Sequence, residues 1–127
     1  RRPNNLPEFP PMLDLINPAI ALLTVAFGLF GFLAPRYTAD VLDLKPTDSN
    51  MGLSELRASA GGLFVALGLG CLVLGTPMAY AMMGVAYVGA GTGRLVSTVL
   101  DNPPRGKALL YFAFEAMPAA WLILWNL

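Results

Sequence analysis

The chain has 127 residues, of which 56 % are hydrophobic and 13 % charged, with eight basic residues balancing eight acidic ones and no histidine. A soluble domain carries about 25 % charge, so half the usual charged surface is missing, and the mean hydropathy is +0.61. The neutral balance excludes the basic footprint of a nucleic-acid binder, the low polarity excludes a disordered segment, and one cysteine, Cys71, excludes an internal disulfide or a thiolate metal cluster. Without histidine there is no imidazole for haem or pigment ligation, for most catalytic zinc sites, or for a Ser-His or Cys-His nucleophile. No metal site, no catalytic residue and no cofactor is expected. A bound lipid, a quinone or a neighbouring pigment cannot be read from these residues.

Residues 1–17 form a proline-rich arm, with Pro3, Pro7, Pro10 and Pro11 among Leu6, Phe9, Met12 and Leu13. Prolines oppose a helix there, and the apolar residues suit contact with a membrane or a partner subunit. Asn17-Pro18 reads as a cap followed by proline at the first helical position, which predicts a first helix over 18–34. That helix is a poor match to a cleaved signal peptide, because Leu33-Ala34-Pro35 is not a small-x-small cleavage site. Pro35-Arg36-Tyr37 then opens a mixed segment in which a short interfacial helix, ending at Pro46, is expected. Asp48, Ser49 and Asn50 offer caps for a second helix.

The stretch from Ala58 to Gly93 carries no charge and is too long for one span of ~20 residues. Gly75-Thr76-Pro77 divides it, predicting helices over 51–74 and 78–100 joined by a tight turn. Asp101-Asn102-Pro103-Pro104 precedes a last helix over 105–126, which Pro118 should kink. The expected fold is all-α, a four-transmembrane-helix bundle running up-down-up-down as one domain over 18–127, with the lipid bilayer as its solvent. Both termini then share one side. Arg36, Lys45, Arg105 and Lys107 flank the connections on the other, against Arg1 and Arg2, so positive-inside counting places the termini outside the cytoplasm. Trp121 and Trp125 suit an aromatic belt.

Membrane helices associate through close backbone approach. Ala58, Gly62, Ala66 and Gly70 recur every four residues as one smooth stripe, Gly61, Gly68 and Gly75 form a second, and Gly89, Gly93 and Ser97 repeat the device in the third helix. Packing is the expected role of all of them. Gly89-Ala90-Gly91-Thr92-Gly93 lacks both the strand and the spacing of a dinucleotide loop.

Charges inside spans mark partnered or functional groups. The candidates are Glu55 and Arg57 in the second helix, Arg94 in the third and Glu115 in the fourth. From ~1.5 Å of rise per residue, all four fall in the half of the bilayer next to the connections. Arg94–Glu115 is the expected pair, Glu55 is a second carboxylate for either arginine, and Tyr111, one turn from Glu115, could donate a hydrogen bond to it.

The segment Glu55-Leu56-Arg57-Ala58-Ser59-Ala60-Gly61-Gly62 resembles the signature of a family of small four-helix bacterial membrane proteins, domain of unknown function 4345. Arg94, the Asp101-Asn102-Pro103-Pro104 turn and Glu115 extend the resemblance over roughly residues 18–127, although Ala60 stands where that family often has an aromatic residue. The resemblance implies a four-helix protein of a bacterial inner membrane and lends no activity. Two functional expectations follow from the residues. One is a non-catalytic accessory subunit of a larger membrane complex, respiratory or photosynthetic. The other is a small transporter, or a lipid- or quinone-binding protein, working through the Arg/Glu cluster.

Overall fold

The computed structural model describes residues 11–127, so the arm residues Leu6 and Phe9 lie outside the described residues. Every regular element among the described residues is helical. Following a 3₁₀ turn at Pro11–Leu15 come α1 (Ile16–Leu33), α2 (Pro35–Val41), α3 (Met51–Leu74), α4 (Pro77–Leu100) and α5 (Arg105–Asn126).

The helices group as two compact units, one ending at Leu74 and the other starting at Gly75. In the first, α1 and α3 run antiparallel. Gly28 lies against Gly61, Phe64 and Val65, Gly31 against Ala60 and Gly61, and Gly68 against Ala21 and Val25. In the second, α4 and α5 form another antiparallel hairpin, with Gly84 against Leu122 and Ile123 and Gly91 against Phe112. Met83 and Leu122 are fully buried.

Met12–Leu33, Met51–Leu74 and Arg105–Asn126 are each long and apolar enough to cross a membrane. Only 22 %, 22 % and 17 % of residues in their most apolar stretches are buried. Leu22, Leu23, Phe27, Phe30, Leu63, Leu109, Met117 and Leu124 all lie exposed along them. Apolar surface this continuous calls for lipid as the surrounding medium. The chain is a membrane protein. Four spans were expected on length and freedom from charge, and α4 falls short of the other three in hydropathy, diluted by four glycines, two tyrosines, Thr92, Thr98, Ser97 and Arg94. Its 24 residues still reach about 36 Å at the usual rise, and it lies along α5.

Element boundaries follow local chemistry. At the α3–α4 turn, Gly75 takes φ 63°, Thr76 Oγ1 accepts from Ala79 N at 3.2 Å, and Pro77 opens α4. This is the stop and restart expected there. Asn17-Pro18, by contrast, is no cap, because the helix starts at Ile16 with Leu15 before it. Pro18 is accommodated because the first-turn N–H groups of a helix have no partner within the helix to lose. Residue Asp43 with φ 59° ends the interfacial helix, at Val41 rather than near Pro46. Pro118 is carried inside a continuous α5.

Candidate functional site

Arg94 and Glu115 meet on the second hairpin. Antiparallel packing sets α4 and α5 side by side, and Gly91, one turn before Arg94, leaves room for the Glu115 stem, whose Cβ would lie 3.9 Å from a Cβ at Gly91. Arg94 donates from Nε to Glu115 Oε1 at 3.1 Å and from Nη2 to Oε2 at 2.9 Å. The two side chains are 33 % and 16 % exposed. Such a fork-on-fork pair fixes both planes and gives each carboxylate oxygen its own charge-assisted bond. Tyr111 joins the pair through its ring, with the Arg94 guanidinium carbon 5.4 Å from the ring centroid. A cation over an aromatic face is attracted by the ring quadrupole.

Glu55 and Arg57 belong to the first unit. Arg57 Nη1 donates to the carbonyl of Phe32, one of the last carbonyls of α1, while Ala34 N takes that of Phe30. Arg57 therefore caps a helix C-terminus, where a cation is favoured by the macrodipole. Its partner is a carbonyl rather than Glu55, whose side chain lies exposed and whose backbone carbonyl accepts from Ser59 Oγ at 2.8 Å. Of the four expected charges, Arg94 and Glu115 form an ion pair within one unit and Arg57 a helix cap within the other.

The smooth stripe chosen from the four-residue spacing is not the packing face. Ala58 and Ala66 are exposed, and a Cβ added at Gly70, Gly89 or Gly93 would meet nothing within 4 Å. At Gly62 the nearest atoms are the carbonyl oxygen of its own neighbour Arg57 at 3.4 Å and Phe32 Cδ1 at 3.9 Å. The close face is the second stripe: a Cβ at Gly61 would lie 2.5 Å from Phe32 N, and at Gly68 2.6 Å from Ala21 O. The two stripes lie on different faces of the helix, and α3 turns the second to α1; within it, a π-helical segment covers Leu56–Gly62 in the middle of the signature. Its two buried residues, Leu56 and Gly61, are five apart. A wider turn advances the face by five residues where α-spacing counts three or four. The tandem Gly61-Gly62 was the available signal of unusual backbone.

A family model described as domain of unknown function (DUF4345) matches residues 13–126. No curated protein and no solved structure matches the chain.

Proposed function

The chain belongs to this family of unknown function, and we propose that it acts as a non-catalytic accessory subunit of a larger membrane complex, respiratory or photosynthetic, in a bacterial inner membrane. The observation that carries this reading is the open glycine face of α4. Gly84 and Gly91 pack on α5, whereas Gly89 and Gly93 have nothing of their own hairpin within 4 Å of an added Cβ. At 100° per residue the open pair lies on the opposite side of the helix from the packed pair. Small residues four apart let a second helix approach closely in lipid, so this face suits a helix of another subunit. The Arg94–Glu115 pair supports the same reading, because charges that satisfy one another fix helix register and need no substrate. The second reading, a transporter or a lipid- or quinone-binding protein working through that cluster, requires Glu115 to leave Arg94. Two parallel charge-assisted bonds oppose this.

Extraction in the mildest detergent, followed by native-gel mass spectrometry, tests the proposal. The protein should co-migrate with larger subunits, and Gly89→Leu with Gly93→Leu should release it while leaving its helical content unchanged. Full-length protein that migrates alone overturns the accessory-subunit reading.

A further inference from the structure

A cleft of about 590 Å³ opens where α1 gives way to α2 and α3 begins. Ala34, at φ −130° and ψ 62°, breaks the α1 helix and lets Pro35 start α2. The first turn of α2 brings Arg36 and Tyr37 to the cleft, the start of α3 brings Asn50 and Ser54, and the π-helical segment brings Arg57. Leu33 and Leu53 complete it on the apolar side. Among the described residues two guanidinium groups line this space and no carboxylate does. Asp40, one turn along α2 from Arg36, is not among the lining residues.

The two arginines are prepared differently. Arg57 is tethered through Nη1 to the Phe32 carbonyl, which holds its plane while the rest of its five-donor fork can serve a second acceptor. Arg36 is exposed and makes no hydrogen bond or ion pair with the described residues. A planar fork matches phosphate oxygens, and paired arginines without a nearby acid favour an anion. Ser54, Asn50 and Tyr37 add hydroxyl and amide groups suited to a polar ester or alcohol.

Depth identifies the source of the anion. Leu33 is the last residue of α1 and Asn50 immediately precedes α3, and both helices are membrane spans by length and apolarity. Their shared end therefore lies at the boundary of the hydrocarbon layer, the level of lipid headgroups. The volume is within the range of small-molecule sites, roughly 300–1,000 Å³. We propose that this cleft binds the phosphate headgroup of an anionic phospholipid, with Arg36 and Arg57 on the phosphate and Leu33 against the first acyl carbons. The proposal does not use the Arg94–Glu115 pair and does not depend on the subunit reading.

Native mass spectrometry of the full-length protein in mild detergent tests it, with phosphatidylglycerol, phosphatidylcholine and inorganic phosphate as probes. One phosphatidylglycerol should be retained in preference to phosphatidylcholine. Arg36→Gln should weaken that binding about tenfold, the loss of one charge-assisted contact, and Ser54→Leu should weaken it by filling the cleft. Arg105→Gln, which removes an exposed charge that does not line the cleft, should leave it unchanged. Arg57→Gln also removes the α1 cap, so Arg36→Gln and Ser54→Leu are the deciding variants. Displacement of the lipid by millimolar inorganic phosphate supports the anion site and assigns its ligand to a soluble phosphate ester. Equal retention of phosphatidylcholine, equal loss in Arg105→Gln, or no loss in Arg36→Gln and Ser54→Leu overturns the proposal.

Discussion

Glu115 takes the Nε–H of Arg94 on one carboxylate oxygen and an Nη2–H on the other, at 3.1 and 2.9 Å, across 21 residues of sequence. Removing one member of such a pair leaves an uncompensated charge in lipid and costs about 3–5 kcal/mol. Arg94→Met and Glu115→Gln should each destabilise the protein against thermal unfolding in detergent, and the double variant should recover part of the loss. Additive losses would refute direct coupling.

Tyr111 separates ring from hydroxyl. Because its contact with Arg94 is through the aromatic face, Tyr111→Phe should keep most of the stability. Tyr111→Leu should lose about 0.5–1 kcal/mol or more, the worth of a cation over a ring. A Phe variant as unstable as the Leu variant would assign the effect to the hydroxyl.

Glycines that look alike in sequence should respond with opposite sign. A Cβ at Gly61 would fall 2.5 Å from the Phe32 backbone nitrogen, and at Gly31 2.5 Å from the Ala60 oxygen, whereas Gly70 faces open space. Gly61→Ala and Gly31→Ala should each cost about 1–3 kcal/mol by forcing α1 and α3 apart. Gly70→Ala should be neutral, or should gain up to about 0.5–1 kcal/mol from the backbone. Denaturation of the three variants, side by side in one detergent, decides it.

These glycines also show where reading the sequence stopped. The all-α fold, the α3–α4 turn at Gly75-Thr76-Pro77 and the Arg94–Glu115 pair were all legible. Each depends on signals within one turn of a helix, or on charges too costly in lipid to stand alone. The stripe over Ala58, Gly62, Ala66 and Gly70 was favoured over that of Gly61 and Gly68 because spacing shows which small residues share a face and not which face meets α1. Arg57 was assigned a carboxylate partner, since a carbonyl at the end of another helix has no signature in composition. Arg36 was counted only toward orientation. Its significance comes from the break at Ala34, which sets α2 beside the start of α3.

Orientation can be tested with one engineered thiol. Native Cys71 is buried, so a Cys71→Ser background with Thr47→Cys places the probe in the α2–α3 connection. If positive-inside counting holds, that thiol should resist an impermeant reagent in intact cells and react after lysis. Ready labelling of intact cells would put the termini in the cytoplasm.

The arm offers a last test. Met12 is 72 % exposed at the edge of the described residues, and an apolar side chain of that size gains about 1.5–3 kcal/mol when covered. Deleting residues 1–13 should leave helical content and membrane insertion unchanged while reducing co-migration with larger subunits on a native gel. Undiminished co-migration would show that the arm is not the tether.

The wide turn at Leu56–Gly62 also gives the α1–α3 hairpin one place where its length can change. A π turn spends about one residue more than an α turn on the same rotation. Removing one residue there, Ser59 for instance, would let the segment close into ordinary α-helix while Gly68 and Cys71, both buried now, kept their face on α1. The same loss at Leu69, in regular α-helix, would rotate everything after it by about 100° and swing Cys71 off α1. The span thus carries its slack at a single point, as a belt takes up at its buckle and nowhere else.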